Sequence, residues 1–249
     1  MTTTPHEPAG GRNLVLLALS ILVLAVLLAL GTWQVQRLKW KEALLARIDE
    51  RIASEPQPLE EIAIRYSEGE DIDYWPVTLA GTFQHDRERH YLATWQGQSG
   101  FFVHTPLRLA DGEIIFVNRG FVPYDRKDPA TRPEGQNSSP VEITGLARMA
   151  PEEKPSFLVP DNDLAKNIFY WKDLRAMASS VGLGSVPIYP FYVDANDAPN
   201  PGGLPVGGVT LINLPNNHLQ YAVTWYGLAF ALVCVLIVWF RQKRPGSQT

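Results

Sequence analysis

Two uninterrupted apolar runs, one near each end of the chain, constrain the fold more than anything between them. The first, Leu14 to Leu30, reads LVLLALSILVLAVLLAL and continues through Gly31 and Thr32 to Trp33. It carries no charge, and at about 1.5 Å of rise per residue it covers roughly 30 Å, the thickness of a bilayer's hydrocarbon core. The second, Leu219 to Phe240, reads LQYAVTWYGLAFALVCVLIVWF and ends in Arg241, Gln242, Lys243 and Arg244. Tyr221, Trp225 and Tyr226 stand at its entry and Trp239 and Phe240 at its exit, as in the aromatic belts of membrane interfaces. A cleaved signal peptide is the rival reading of the first run, because Ala29-Leu30-Gly31 is a tolerable cleavage site. The stretch exceeds the roughly 7–15 apolar residues of a signal core, however, and only Arg12 supplies charge before it. Two transmembrane helices are expected.

Orientation follows from charge. The RQKR cluster after the second run places that end in the cytoplasm, and with two spans the other end lies there too. Arg37, Lys39, Lys41, Arg47 and Arg51 follow the first run on its outer side and point the other way. They belong to a loop far longer than about 60 residues, where positive charge bears weakly on orientation. The expected layout is a cytoplasmic N-terminus (1–13), a transmembrane helix (14–36), a helical extension (37–53), a periplasmic mainly-β domain (54–217), a second transmembrane helix (218–240) and a cytoplasmic C-terminus (241–249). The leader MTTTPHEPAGGR is neither Arg-rich nor amphipathic, which favours a bacterial inner membrane over a mitochondrial address.

Between the runs the chain is a different material. Leu38 to Asn217 holds 17 Lys and Arg against 25 Asp and Glu, a net charge of −8. That acidity disfavours nucleic acid, whose phosphates require concentrated positive charge. The only cysteine, Cys234, lies in the second run, which excludes disulfides, thiol exchange and copper capture by paired thiolates in the domain. Strand character recurs at Tyr74–Phe83, His90–Thr94, Phe101–Leu109, Ile114–Arg119, Val141–Ala147, Pro187–Val193 and Val209–Leu214, with Asp111-Gly112 as a hairpin turn. Lys127–Pro140 reads as a polar loop and Asn167–Val181 as a helix. The fold class is a membrane α+β protein: two transmembrane helices flanking a mainly-β extracytoplasmic domain, a small barrel or sandwich, with at least one packed helix.

Catalytic signatures are absent: no nucleotide-binding glycine loop, HExxH, GxSxG or Cys/His metal spacing occurs. His85 and His90 in QHDRERH read as part of a solvated charged turn, and His104 as a hydrogen-bonded strand histidine. A hydrolase using His104 with Asp111 or Asp125 requires those side chains to converge. Arg119 either pairs with an acid or organises its turn. No catalytic residue is expected, and the chain is not read as an enzyme.

His218 is different, because it stands directly before the second span. On a helix His218, Tyr221, Ala222 and Trp225 form one stripe at the outer membrane surface. A neutral imidazole there can ligate iron, with aromatic rings for a flat macrocycle to pack on. Trp33, Gln34 and Arg37 occupy the matching depth of the first span. Interfacial anchoring explains the same residues and is the plainer reading, since membrane helices use His, Tyr and Trp freely there. The residues alone leave both readings open.

Four segments carry a resemblance. Gly31 to Lys41, GTWQVQRLKWK, is similar to the GxWQxxRxxWK signature of the Surfeit locus protein 1 family. Tyr74-Trp75-Pro76-Val77 with Gly81-Thr82-Phe83 resembles its first β segment, and Gly100 to Pro123 its central TPL…VNRGWVP block. Asn216 to Trp225, NNHLQYAVTW, matches its NxHxxYAxTW ending. Phe121 stands where the family usually has Trp, and Phe101-Phe102 where Tyr is common. The resemblance implies an assembly factor for cytochrome c oxidase, a haem-copper terminal oxidase, that binds haem a transiently and aids its insertion into subunit I. It makes His218 the candidate iron ligand, with Tyr221, Trp225, Trp33, Gln34 and Arg37 around the cofactor. Implied partners are oxidase subunit I, haem A synthase and the lipid bilayer. A cofactor-free membrane scaffold that stabilises an oxidase subunit is the alternative.

Overall fold

The chain separates into a helix pair, built from residues up to Arg47 and from Asn213 onward, and a domain over Ile48–Ile212. The computed structural model describes residues 9–210 and 216–243.

The pair consists of α1 (Ala9–Ile52) and α4 (His218–Lys243). Both are long and apolar enough to cross a bilayer, and most of their apolar side chains face outward rather than into protein. In hydrocarbon such faces meet no hydrophobic penalty, so helix association rests on close approach and polar contacts. Small residues supply the approach: Ala222 and Ala229 are buried, and a Cβ at Gly31 would come within 2.9 Å of the Tyr226 ring. The Thr32 and Tyr226 hydroxyls lie 3.0 Å apart. Leu16, Leu17 and Ser20 face a groove with Leu232, Val235 and Trp239, so the helices run antiparallel. Cys234 is on the exposed surface of α4.

The domain is a closed barrel. Short β1 (Gln57–Pro58) leads into α2 (Leu59–Ser67), followed by β2 (Pro76–Phe83), β3 (Arg89–Trp95), β4 (Gln98–Arg108), β5 (Ile114–Pro123), β6 (Val141–Met149), α3 (Leu174–Ser179) and β7 (Ile188–Ala195). The strands lie in the order β1-β2-β6-β7-β5-β4-β3, and a further pairing of β2 with β4 closes β2, β6, β7, β5 and β4 into a ring. Closure occurs at Thr82 opposite Arg108 and Phe83 opposite Leu107. All ring pairings are antiparallel except β5 with β7. One face of each ring strand fills the lumen: Val77, Leu79, Leu107, Ile115, Val117, Ala147, Phe191 and Val193, with Leu59 and Ile62 of α2 packed on them. The opposite face of β5, through Ile114 and Phe116, packs with Tyr192 against Leu174, Met177 and Ala178 of α3. β5 is therefore buried on both faces, the arrangement that a continuous apolar run such as IIFV demands.

Turn chemistry matches the topology. Gln96 and Gly97, both at positive φ, make the tight link between β3 and β4, and Gly112 at φ +92° turns β4 into β5. Two elements depart from the sequence reading. Leu59–Ser67 is helical, at the start of the stretch read from the sequence as mainly β. The helix expected over Asn167–Val181 is confined to Leu174–Ser179. Asn167 at φ +52° stops helical continuation, and Phe169 exchanges backbone hydrogen bonds with His90 and Leu92 on the edge of β3. Asp173 then caps α3 by accepting from the Ala176 amide. The strand expected over Val209–Leu214 lies partly outside the described residues; Val209 and Thr210 are in no strand.

The segment QHDRERH is not a solvated turn. His85, Glu88 and His90 are all buried, because the 127–140 loop folds over them. Arg132 of that loop binds both carboxylate oxygens of Glu88, and the His90 Nε2–H donates to Glu88 Oε1 at 3.0 Å. Asn167 Nδ2 donates to His90 Nδ1, fixing the neutral tautomer. Burial pushes the Glu88 carboxyl up, but hydrogen bonds from His90 and Arg132 outweigh it and hold the group below its ordinary range. His104 is also not hydrogen-bonded as expected: it is fully buried, neither ring nitrogen has a partner of good geometry, and Tyr91 and Tyr192 meet it edge-on. Burial, with Lys172 nearby, pushes its imidazole down to about 3.

Two outcomes follow. Gly120 sits at φ +124°, and a Cβ there would lie 1.9 Å from the Val206 carbonyl oxygen, which accepts from the Phe121 amide. Gly120→Ala is expected to cost about 3 kcal/mol or more in urea unfolding of the solubilised chain, and a loss under about 1 kcal/mol contradicts this geometry. His85, His90 and His104 all have lowered pKa values, so the native state refuses protons that the unfolded chain accepts below about pH 6.5. Stability is therefore fully present above that pH and is lost as pH falls, at up to about 1.4 kcal/mol per pH unit for each proton. His104→Phe is expected to reduce the slope of the urea midpoint between pH 6.5 and 5; an unchanged slope overturns the assignment of His104 to it.

Candidate functional site

His218 opens α4. Asn216 Oδ1 accepts from the His218 amide at 3.4 Å, and the Asn217 carbonyl accepts from the Tyr221 amide at 3.2 Å, so the paired asparagines start the helix at this residue. From α1, Gln34 reaches the imidazole: His218 Nδ1–H donates to Gln34 Oε1 at 2.7 Å. Gln34 is buried, so this bond is shielded from competing water. In the neutral ring it also selects the tautomer. With Nδ1 carrying the proton, Nε2 keeps its lone pair, and it has no partner among the described residues. A histidine held this way by its other nitrogen is the arrangement found in metal-ligating histidines.

The remaining rim residues are distributed unevenly. Trp33 is 51% and Tyr221 53% exposed, so both offer open aromatic surface. Trp225 is half-buried, and its indole Nε1–H is sealed without an acceptor. The Arg37 guanidinium stacks 4.4 Å from the ring centroid of Trp40 on its own helix and makes no hydrogen bond to His218 or Gln34. The structure thus joins Gln34 to His218 directly and leaves Trp33, Arg37 and Tyr221 on the exposed surface of the pair. The Gly31–Tyr226 and Thr32–Tyr226 contacts next to this pair escaped sequence reasoning; a glycine closing an apolar run was the available signal.

A second polar site lies within the domain. Arg119 of β5 is buried and donates to His85 Nδ1 at 3.2 Å, the Gly135 carbonyl at 2.7 Å and Asn200 Oδ1 at 3.1 Å. Its guanidinium lies 4.8 Å from the Phe83 ring centroid. Neither reading open for Arg119 is realised: it makes no ion pair among the described residues, and it lies inside β5, from which it ties together the segments carrying His85, Gly135 and Asn200. Burial pushes it down to about 10, so it stays charged at neutral pH. His85 donates from Nε2 to the Asn137 carbonyl at 2.7 Å, which keeps Nδ1 free to accept from Arg119. Burial lowers the His85 pKa, and the Asn137 carbonyl offsets only part of that. These groups line a half-open cavity of about 310 Å³. Neither Asp111 nor Asp125 makes a hydrogen bond to His104 among the described residues. No group of three metal-ligating side chains occurs among the described residues.

The SURF1 family model matches residues 21–230, which include most of α1, the whole barrel and the first half of α4. The chain is similar to Surfeit locus protein 1 of Homo sapiens, 36% identical over 244 residues that cover 91% of this chain and 77% of the relative. Surfeit locus protein 1 of Xenopus tropicalis is 39% identical over 239 residues, 89% of this chain and 75% of the relative. A SURF1-like protein of Monosiga brevicollis is 35% identical over 251 residues, 96% of this chain and 90% of the relative. With an apolar helix before and after a closed β-barrel in the sequence, and matched along most of its length by these relatives, the chain belongs to the SURF1 family.

Proposed function

We propose that this chain is a membrane-bound assembly factor for a haem-copper terminal oxidase, which receives haem a at the rim of its helix pair and aids its insertion into oxidase subunit I. The observation that carries the proposal is the Gln34–His218 hydrogen bond, which engages Nδ1 and leaves Nε2 without a partner among the described residues. An imidazole in that state is an axial ligand for haem iron. Trp33 and Tyr221 provide flat apolar surface beside it, and the apolar faces of α1 and α4 suit an isoprenoid tail, at about 0.8 kcal/mol per buried CH₂. Arg37 and Lys39 are exposed cations at the same end of the first span and suit the propionates.

In this reading the chain performs no bond-making chemistry. It binds, orients and releases its cargo, handing it from the membrane where haem A synthase makes it to subunit I. Both termini lie in the cytoplasm and the barrel in the periplasm of a bacterial inner membrane; the RQKR sequence after the second span supports that orientation.

The test is the absorbance spectrum of the parent and of His218→Ala purified from cells that make haem a. A Soret band in the parent, lost or shifted in His218→Ala, is the expected result. Gln34→Leu, which removes the Nδ1 acceptor but keeps the ligand, is expected to lower haem affinity about 10- to 100-fold. Equal haem content and identical spectra in all three rule out His218 as the ligand. A colourless parent leaves the cofactor-free scaffold as the function.

A further inference from the structure

The cavity beside Arg119 is separate from the helix rim and lies wholly within the barrel domain. Three features make it more than a packing gap. Its wall carries a buried cation without a carboxylate partner: Glu88, the nearby buried acid, is already bound by Arg132 and His90, so the surplus charge of this cluster is the positive charge of Arg119. Arg119 Nε–H is sealed from water and has no acceptor. A buried donor left unmade costs about 1–3 kcal/mol, and more when charged, so this guanidinium is held without its full set of acceptors. Third, the rest of the lining divides by character. Asn137, Asn196 and Thr144 are polar, while Phe83, Val141 and Ile143 are apolar. Glu142, the acid in the lining, is exposed, so its charge is screened by solvent. At about 310 Å³ the space is at the small end of ligand pockets and suits a group of a few heavy atoms.

From this geometry we infer that the barrel cavity is a binding site for a carboxylate carried on a short apolar group, with Arg119 as its anchor and the Phe83–Val141–Ile143 wall around the apolar part. Two sources present that chemistry: a free short-chain organic acid and the carboxyl terminus of a polypeptide. The single positive charge of Arg119 matches a singly charged carboxylate, whereas an oxyanion of higher charge would need a second cation that the lining lacks.

The experiment titrates the full chain in detergent with ¹³C-labelled isobutyrate, chosen because it is too short to partition into micelles, and follows binding by NMR. N-acetylalanylvaline and inorganic phosphate are titrated in parallel. Saturable isobutyrate binding is expected, weakened at least tenfold in Arg119→Gln. Because that variant loses three hydrogen bonds and can misfold, Ala198→Trp is the second variant: Ala198 is exposed on the lining, so the indole fills the space and leaves Arg119 untouched. It too is expected to abolish binding, with unchanged circular dichroism. Tighter binding of the dipeptide than of isobutyrate identifies a polypeptide terminus as the source; the reverse order identifies a free acid. Absence of saturable binding, equal affinity in Ala198→Trp, or phosphate binding tighter than both carboxylates overturns the inference.

Discussion

Two residue pairs close the barrel, Thr82 with Arg108 and Phe83 with Leu107, and much of the domain depends on them. An open sheet of this size presents two edges, each a row of unpaired backbone groups. Closure removes them from the ring and creates a lumen that one face of every ring strand can fill. It also sets where the chain goes next. Gln84 still donates to the Pro106 carbonyl, after which β4 pairs with β3 instead, so the intervening residues must bend away at that point. His85 and Glu88 occupy this bend, and burial of the bend requires the loop carrying Arg132 and Gly135 to cover it. The polar belt and the Arg119 cavity are consequences of where the ring closes.

The helix pair obeys a different constraint. Lipid does not drive apolar surfaces together, so the pair relies on small side chains and on a few polar contacts. Gly31 admits the Tyr226 ring, and Gln34 and His218 form the polar contact near one end. Together these fix the register of α1 against α4. The same hydrogen bond that helps join the helices also selects the protonation site of the imidazole, so structural support and chemical readiness reside in one interaction.

Much of this was legible from residue pattern. Alternation and turn residues located the strands now seen as β2 to β7, and two charge-free runs located the helices. What failed did so where tertiary contacts overrode local pattern. QHDRERH looks solvated because its charges are dense; only the remote Arg132 makes Glu88 a buried partner. Asn167–Val181 has helical spacing, but the free edge of β3 offered Phe169 backbone partners that a helix would have denied it. The Gln34–His218 contact joins residues 184 positions apart, a pairing no periodicity reports. Its two ends stood out separately, through their positions at the ends of the spans and their resemblance to family motifs.

The lone cysteine, on the exposed face of α4, has one more consequence. Nothing in the barrel is held covalently beyond the chain itself, so its folding equilibrium is indifferent to the redox poise of its surroundings. Ring closure and the packed lumen hold the fold without a covalent crosslink. A thiol-reactive label therefore reports from one place only, the lipid-facing side of α4, without any need to remove competing thiols first.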